Sequence, residues 1–416
     1  MRELLGRLAL DWSPLRKSLP FRRLWLAQTV SFVGSEIGFV ALTYQVYQLT
    51  GSTFYVGLLS LAQLVPLLTL TIVGGAFADV FDRRRLMLLQ QAGLIVGGAI
   101  VLANAALPHP RVWPCFLCIV VDACAFSFGI GAQNSLLPRI VGDDELVAAN
   151  NLLSLIESFA AVAGPALTGV LIAGAGLVTA YAIDTATFVA TLVAVWLLPP
   201  IRPEGGDARP SLRTIVEGFG FVRRSRVILG FMLVDTNAMI FGMPVALFPA
   251  IAVHRFHHAS YVGYLFAATA AGPLVFSLFG GWVNHVRRQG VVIVVAAAAW
   301  GAAIAAFGFA EQLWLALLLL ALAGGADLIS AVLRSTMLLQ LTPDAFRGRL
   351  IGIEFAQVAS APALGNLEAG MLASLTSLRF SVVSGGIVCV VGCGVLALAF
   401  PALMRYDSRA REPAPA

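Results

Sequence analysis

The sequence predicts an all-α membrane protein, with twelve transmembrane helices in two pseudo-symmetric six-helix bundles. Three observations carry this. Of 416 residues, 59% are apolar and 40 more are glycine, while only 12% are charged, against about 25% in soluble domains. The apolar residues gather into runs of about 20, the length that crosses a bilayer core as helix. The runs also fall into two sets of six, on either side of a polar stretch. Such a chain lacks the polar surface to cover itself in water, and its composition equally excludes a disordered or disulfide-stapled protein.

Taken in order, residues 1–23 carry six basic residues and an apolar stripe (Leu4, Leu5, Leu8). They read as an amphipathic segment lying on the inner membrane surface, not as a cleavable leader. The N-terminal bundle, 24–198, holds runs near Leu24–Tyr47, Phe54–Ala78, Leu86–Leu107, Val112–Gln133, Asn150–Ala173 and Ala180–Leu198. Residues 199–226, rich in Pro, Gly and charge, read as a cytoplasmic linker. The C-terminal bundle, 227–404, holds runs near Val227–Val253, Tyr261–Val283, Val291–Ala310, Leu313–Leu339, Arg349–Ser374 and Phe380–Met404, and 405–416 form a tail.

Basic residues set the orientation. With the N-terminus inside, the cytoplasmic segments hold 23 Lys and Arg and the outer loops three (Arg111, Arg255, Arg379), so both termini are predicted to be cytoplasmic. The halves also resemble each other. Gly74-Gly75 returns as Gly280-Gly281, Ser135 and Asp144 return as Ser335 and Asp344, and Gly164-Pro165 is answered by Ala361-Pro362, at offsets of 206, 200 and 197. A six-plus-six repeat about an axis along the membrane normal is a layout of many secondary transporters.

Several chemistries are disfavoured. Lys17 is the single lysine and no phosphate loop precedes it, which argues against ATP-driven transport by this chain. Cys115 and Cys118 have CxxC spacing, but inside an apolar run without a second pair they read as packing residues. No His lies in mid-span and neither HExxH nor GxSxG occurs, so an embedded enzyme is not expected. Neither a metal, a cofactor nor nucleic acid is expected as a partner.

Gly75-Ala-Phe-Ala-Asp79-Val-Phe-Asp82-Arg83-Arg84-Arg85, between the second and third runs, resembles the loop signature of the major facilitator superfamily. Tyr44-Gln-Val-Tyr-Gln-Leu-Thr-Gly-Ser52, Leu136-Leu-Pro-Arg139, Glu145-Leu-Val-Ala-Ala-Asn150 and Arg347-Gly-Arg349 are similar to the bacterial branch of enterobactin and macrolide efflux. The resemblance covers nearly the whole chain. It implies a secondary transporter in the bacterial inner membrane. Gly164-Pro165-Ala-Leu-Thr-Gly169 resembles the Gly-Pro signature of exporters. Gly129-Ile-Gly131-Ala132 fits the tail of another antiporter motif, but Ala125 stands where that motif carries arginine, so a relay through that arginine is not expected.

Physical readings stand beside the resemblance. Gly75 permits close helix packing, and Asp79, with Asp82, Arg83 and Arg84, can latch to a helix end or an arginine in one conformation. The alternative is that the arginines only enforce topology. Pro165 bends its helix and Gly169 admits a neighbour, or the motif is simple packing.

Eight acids fall within the spans: Glu36, Asp122, Glu157, Asp184, Asp235, Asp327, Glu354 and Glu368, against Arg334 alone. Each costs about 2.5–3.5 kcal/mol at a helix centre, so they should face the interior and carry function. Glu36, Asp235 and Asp122 lie deep and are the candidates for proton coupling or substrate binding. Glu36 has Thr29, Thr43 and Tyr47 on roughly the same face, and a structural hydrogen bond is its alternative. Asp327, Arg334, Glu354 and Glu368 read as a charge network, with the partner of Arg334 expected among those three acids. Phe231, Met232, Met239, Phe241, Met243 and Phe248 offer a soft lining for a bulky apolar ligand or, alternatively, face lipid or a neighbouring helix.

The expectation is a proton-coupled exporter of a small amphiphilic molecule, a drug or siderophore, working as a monomer in the lipid bilayer by alternating access. Uptake, lipid flipping or a non-transporting sensor on the same fold are the alternatives.

Overall fold

Each apolar run carries a helix in the computed structural model, which describes residues 11–197, 220–279 and 286–408, apart from the side chains at 72–80, 130, 132–135, 143, 278–279 and 345. The helices are α1 (Ser13–Lys17), α2 (Leu19–Thr50), α3 (Thr53–Val80), α4 (Arg83–Ala105), α5 (Trp113–Val141), α6 (Leu146–Gly174), α7 (Gly176–Trp196), α8 (Arg226–Phe241), α9 (Phe248–His254), α10 (Tyr261–Phe279), α11 (Gln289–Phe307), α12 (Leu313–Leu341), α13 (Asp344–Leu375), α14 (Leu378–Ala399) and α15 (Pro401–Arg405). Among the described residues there is no strand. Among the described residues nine spans are long and apolar enough to cross a membrane, with shorter apolar helices at Trp113–Gly129 and Tyr261–Ser277. α13 is not one of the nine, and it carries Glu354 and Glu368 along its length.

The first long helix starts at Leu19, ahead of the predicted Leu24. Ser18 accounts for this: its hydroxyl accepts from the Phe21 amide at 3.2 Å and donates to the Ile140 carbonyl at 2.9 Å. Phe21 is thereby fully buried against Leu137, Ala149 and Leu152, so this residue of the 1–23 segment is core, while Arg22 and Arg23 beside it are exposed. Of the segment ahead of it, α1 lies among the described residues and 1–10 outside them. Lys17 pairs with Glu145 at 2.6 Å, and that carboxylate holds the ammonium above its ordinary pKa.

The seventh apolar run is two helices rather than one. Gly242 ends α8, Pro244 leads a short 3-10 turn (Val245–Leu247), and α9 begins on Phe248-Pro249. Proline supplies no amide for a continuing helix, so the freed backbone groups need partners in an apolar setting. Trp300 Nε1 donates to the Gly242 carbonyl at 2.8 Å, and the Ala246 amide donates to Asn366 Oδ1 at 3.1 Å.

The chain clusters into two compact units: Met1–Leu42 with Val65–Arg209, and Thr43–Leu64 with Pro210–Ala416. The hairpin of late α2 and early α3 thus belongs with the second unit, where Thr53 Oγ1 donates to the Gly370 carbonyl at 2.8 Å. Within the first unit α4 packs on α5 and α7; within the second, α11 packs on α12 and α14. These are corresponding helices of the repeat read from the offsets. The predicted linker lies largely outside the described residues, as do Gly280 and Gly281, the side chains of Asp79 and Ser135, and the surroundings of Gly75.

Candidate functional site

In the first unit, small residues bring the helices close enough for the acids to reach neighbouring backbones. Glu36 on α2 is partly buried, and its β-carbon sits where a Cβ on Gly164 of α6 would go. That close approach gives the glycine of the Gly-Pro motif a concrete task. Thr168, one turn on, donates to the Gly164 carbonyl at 2.9 Å, and α6 continues through buried Pro165 and Gly169. Among the described residues Glu36 forms no hydrogen bond or ion pair. Its predicted companions are spoken for: Thr29 donates to the Trp25 carbonyl at 2.8 Å, and the Tyr47 hydroxyl meets His254 Nε2 at 2.7 Å within the second unit.

Asp122 on α5 lies over Gly97 of α4, where a Cβ would clash with Oδ1. Its Oδ2 accepts from the Cys118 thiol at 3.4 Å, while Oδ1 is buried without a hydrogen-bond partner among the described residues. Cys118, read from the sequence as packing, is therefore also a donor. Asp184 on α7 is 7% exposed, lies over Gly38 of α2, and leaves Oδ1 buried and unbonded.

The signature loop is held locally. Asp82 caps α4 by accepting from the Arg84 amide at 2.9 Å, Arg83 is the first residue of that helix, and the Arg84 guanidinium donates to the Trp196 carbonyl at the end of α7. A cation at a helix C-terminus is favourable.

The second unit holds its acids differently. Asp235 on α8, 3% exposed at its side chain, forms an ion pair with Arg334 of α12 through Oδ1, without a well-aligned hydrogen bond at that atom. Gln357 of α13 donates to Asp235 Oδ2 at 2.9 Å and to the Met232 carbonyl at 3.0 Å. Arg334 also donates to Ser330, one turn back, at 3.0 Å. The expected partners of Arg334 need correcting on this point. Asp327, on the same helix, shares a small cavity with Arg334, Glu354 instead accepts from Ser335 at 3.4 Å, and Glu368 is only partly buried. Two turns of one helix separate Asp327 from Arg334, whereas Asp235 approaches across the α8–α12 packing. Gln357 and Ser330 were missed by the sequence reading. Matching depth narrows the choice of acid without deciding it: Asp235 lies nine residues after the start of α8, and Arg334 seven before the end of α12.

That cavity, about 40 Å³, is lined by Met239, Met243, Trp300, Asp327, Ser330 and Arg334. It has room for a few waters and not for an organic substrate. Phe231 and Phe248, placed by sequence in a soft lining, are core: both are buried, and Phe248 packs edge-on against Phe266 and Phe307. Among the described residues no three His, Cys, Asp or Glu side chains converge to hold a metal. The arrangement sets carboxyls without a cation among the described residues in the first unit against an ion pair in the second.

The comparisons with known proteins agree with this architecture. The model of the transmembrane secretion effectors matches residues 9–416. The enterobactin exporter EntS of Citrobacter koseri is 30% identical over 407 residues, spanning 98% of this chain and 97% of that protein. EntS of Shigella boydii is 29% identical, with 95% of each covered. Among solved structures, the nucleoside transporter NupG superposes with a TM-score of 0.72 at 15% identity, covering 93% of this chain and all of the other. A POT family transporter bound to 5-aminolevulinic acid reaches 0.76 at 11% identity, covering 93% and 97%. The chain is a multi-pass membrane transporter and not an enzyme, and it belongs to the transmembrane secretion effector family of the major facilitator superfamily, in the branch of the enterobactin exporters.

Proposed function

We propose that this chain is a proton-coupled exporter of a small amphiphilic siderophore, built as twelve helices in two six-helix bundles that work by alternating access. Both termini then lie on the cytoplasmic side of a bacterial inner membrane, and the monomer is the working unit. The observation that carries the coupling is Glu36: a partly buried carboxyl in mid-helix with no bonded partner among the described residues. A group of that kind can lose and regain a proton without breaking a structural bond, which Asp235 cannot do. The names of the relatives support a siderophore as cargo. Asp79, with Arg83 and Arg84, remains the proposed latch between conformations.

The test is flux of enterobactin in proteoliposomes with an imposed proton gradient. Accumulation on the acidic side that collapses with a protonophore is expected. Glu36→Gln should abolish the dependence on the gradient while leaving exchange of enterobactin across the membrane intact. Flux that ignores the gradient in the wild-type protein would overturn the coupling. Movement only toward the alkaline side would make the chain an importer, lipid movement without enterobactin a flippase, and binding without flux a sensor.

A further inference from the structure

The first unit contains a second acidic constellation that Glu36 does not touch. Asp122 and Asp184 come from α5 and α7, and both helices pack on α4. Asp122 lies over Gly97, and the next residue, Gly98, lies under Thr185, the neighbour of Asp184. The charge of Asp122 reaches Asp184, and both carboxyls reach the Cys118 thiol. Each has a buried oxygen with no hydrogen-bond partner among the described residues, and Asp184 is 7% exposed. Room for both is built into the fold, since a Cβ on Gly97 or Gly38 would occupy the place of a carboxylate oxygen.

Titratable groups facing the pair are few. From α5 they are Cys115 and Cys118, and from α7 Tyr181. α4 and α2 present glycines there, and Glu36 is turned toward Gly164 of α6 instead. Among the described residues no Arg, Lys or His forms an ion pair with either acid. Two carboxylates without a cation in a low-dielectric interior cannot both stay ionised; one proton on the pair relieves the repulsion and supplies a donor for an orphaned oxygen.

We propose that Asp122 and Asp184 together form a proton-binding site inside the first unit, holding one proton between them. Loading transfers a proton from hydronium to a carboxylate oxygen, leaving water. Unloading returns it to water and restores the second negative charge. The Cys118 thiol already donates to Asp122 Oδ2, so the bound proton belongs on Asp122 Oδ1 or on Asp184. Use of this site in transport rests on the proton-coupled reading above; its existence does not.

Infrared titration of the full chain in liposomes tests the site with protons as the only probe. The carbonyl band of protonated carboxyls should disappear in two steps with rising pH. Asp122→Asn and Asp184→Asn should each delete one step and move the remaining one by about one pH unit or more, the mark of coupled sites. Glu36→Gln should remove only its own contribution. If each Asn variant deletes its own step and leaves the other in place, the acids are independent and the shared site is wrong. Should an Asn variant not fold, Cys118→Ala keeps both acids and removes the donor to Asp122; an unshifted profile then overturns the site. Exchanging choline for sodium should change nothing, and displacement of the band by sodium would replace the proton with a metal cation. A pair that titrates in a protein whose flux ignores the gradient keeps the site and loses the coupling. Gradient-driven flux with a silent pair does the reverse.

Discussion

Asp235 in the second unit meets a guanidinium and a carboxamide, while Asp184 in the first, comparably buried, meets a glycine and the backbone around it. Both acids lie eight or nine residues into their helices, so depth does not distinguish them. Compensation does. A carboxylate held by arginine strands the cation when it loses its charge. A carboxyl with no cation can change protonation state without leaving a partner behind. On this view the second unit spends its arginine on rigidity and the first keeps its acids free for exchange.

The largest effect should come from breaking the compensated pair. Arg334→Leu leaves Asp235 buried without its cation, and losing one partner of such a pair costs about 3–5 kcal/mol. Thermal melting in detergent should show a marked drop. Adding Asp235→Leu should recover most of it, because removing both charges is often nearly neutral. Neutralising Asp327, Glu354 or Glu368 in the Arg334→Leu background should recover much less. Rescue by any of those three as good as that by Asp235 would undo the contrast between the units.

How far the sequence reaches can be judged from these residues. The apolar runs are legible because lipid imposes length and composition at once. The acids stand out for the same reason. Partner choice is not legible: Asp235 and Arg334 are far apart in sequence, and only helix packing decides which of several acids at similar depth faces the arginine. The break at Gly242–Pro244 was visible as residues, yet its cost depends on whether Trp300 and Asn366 reach the freed backbone. Asp184 stands among the eight acids of the spans, but the sequence does not show that Gly38 leaves it room.

A second, smaller effect should come from closing that room. Gly38→Ala puts a methyl where the Asp184 carboxylate lies, and overpacking of this sort costs typically about 1–3 kcal/mol. The loss should shrink when Asp184→Ala is added. An equal loss in both backgrounds would mean that the clash is with something other than the acid. Smaller still is the cap on α4. Asp82→Ala removes the acceptor for the Arg84 amide and should lower stability by about 1 kcal/mol. Lower stability with unchanged distances between labels on the cytoplasmic loops would assign Asp82 to its helix alone; a shifted distance distribution would give it a share in the latch.

The smallest effect is expected from Asp184→Asn. If the acids of the first unit exchange a proton without a fixed ionic partner, their neutral form is already compatible with the folded state. An amide of the same shape then replaces a carboxylic acid and strands no charge. The amide keeps the volume of the acid, and Gly38 leaves that volume undisturbed. The melting temperature should stay close to wild type, because the substitution leaves no buried charge without its partner. Asp235→Asn, made in parallel, strands Arg334 and should melt far lower. The two aspartates thus form a matched pair for one measurement. Equal destabilisation would show Asp184 to be as structural as Asp235, and the division between an exchanging unit and a rigid one would fall.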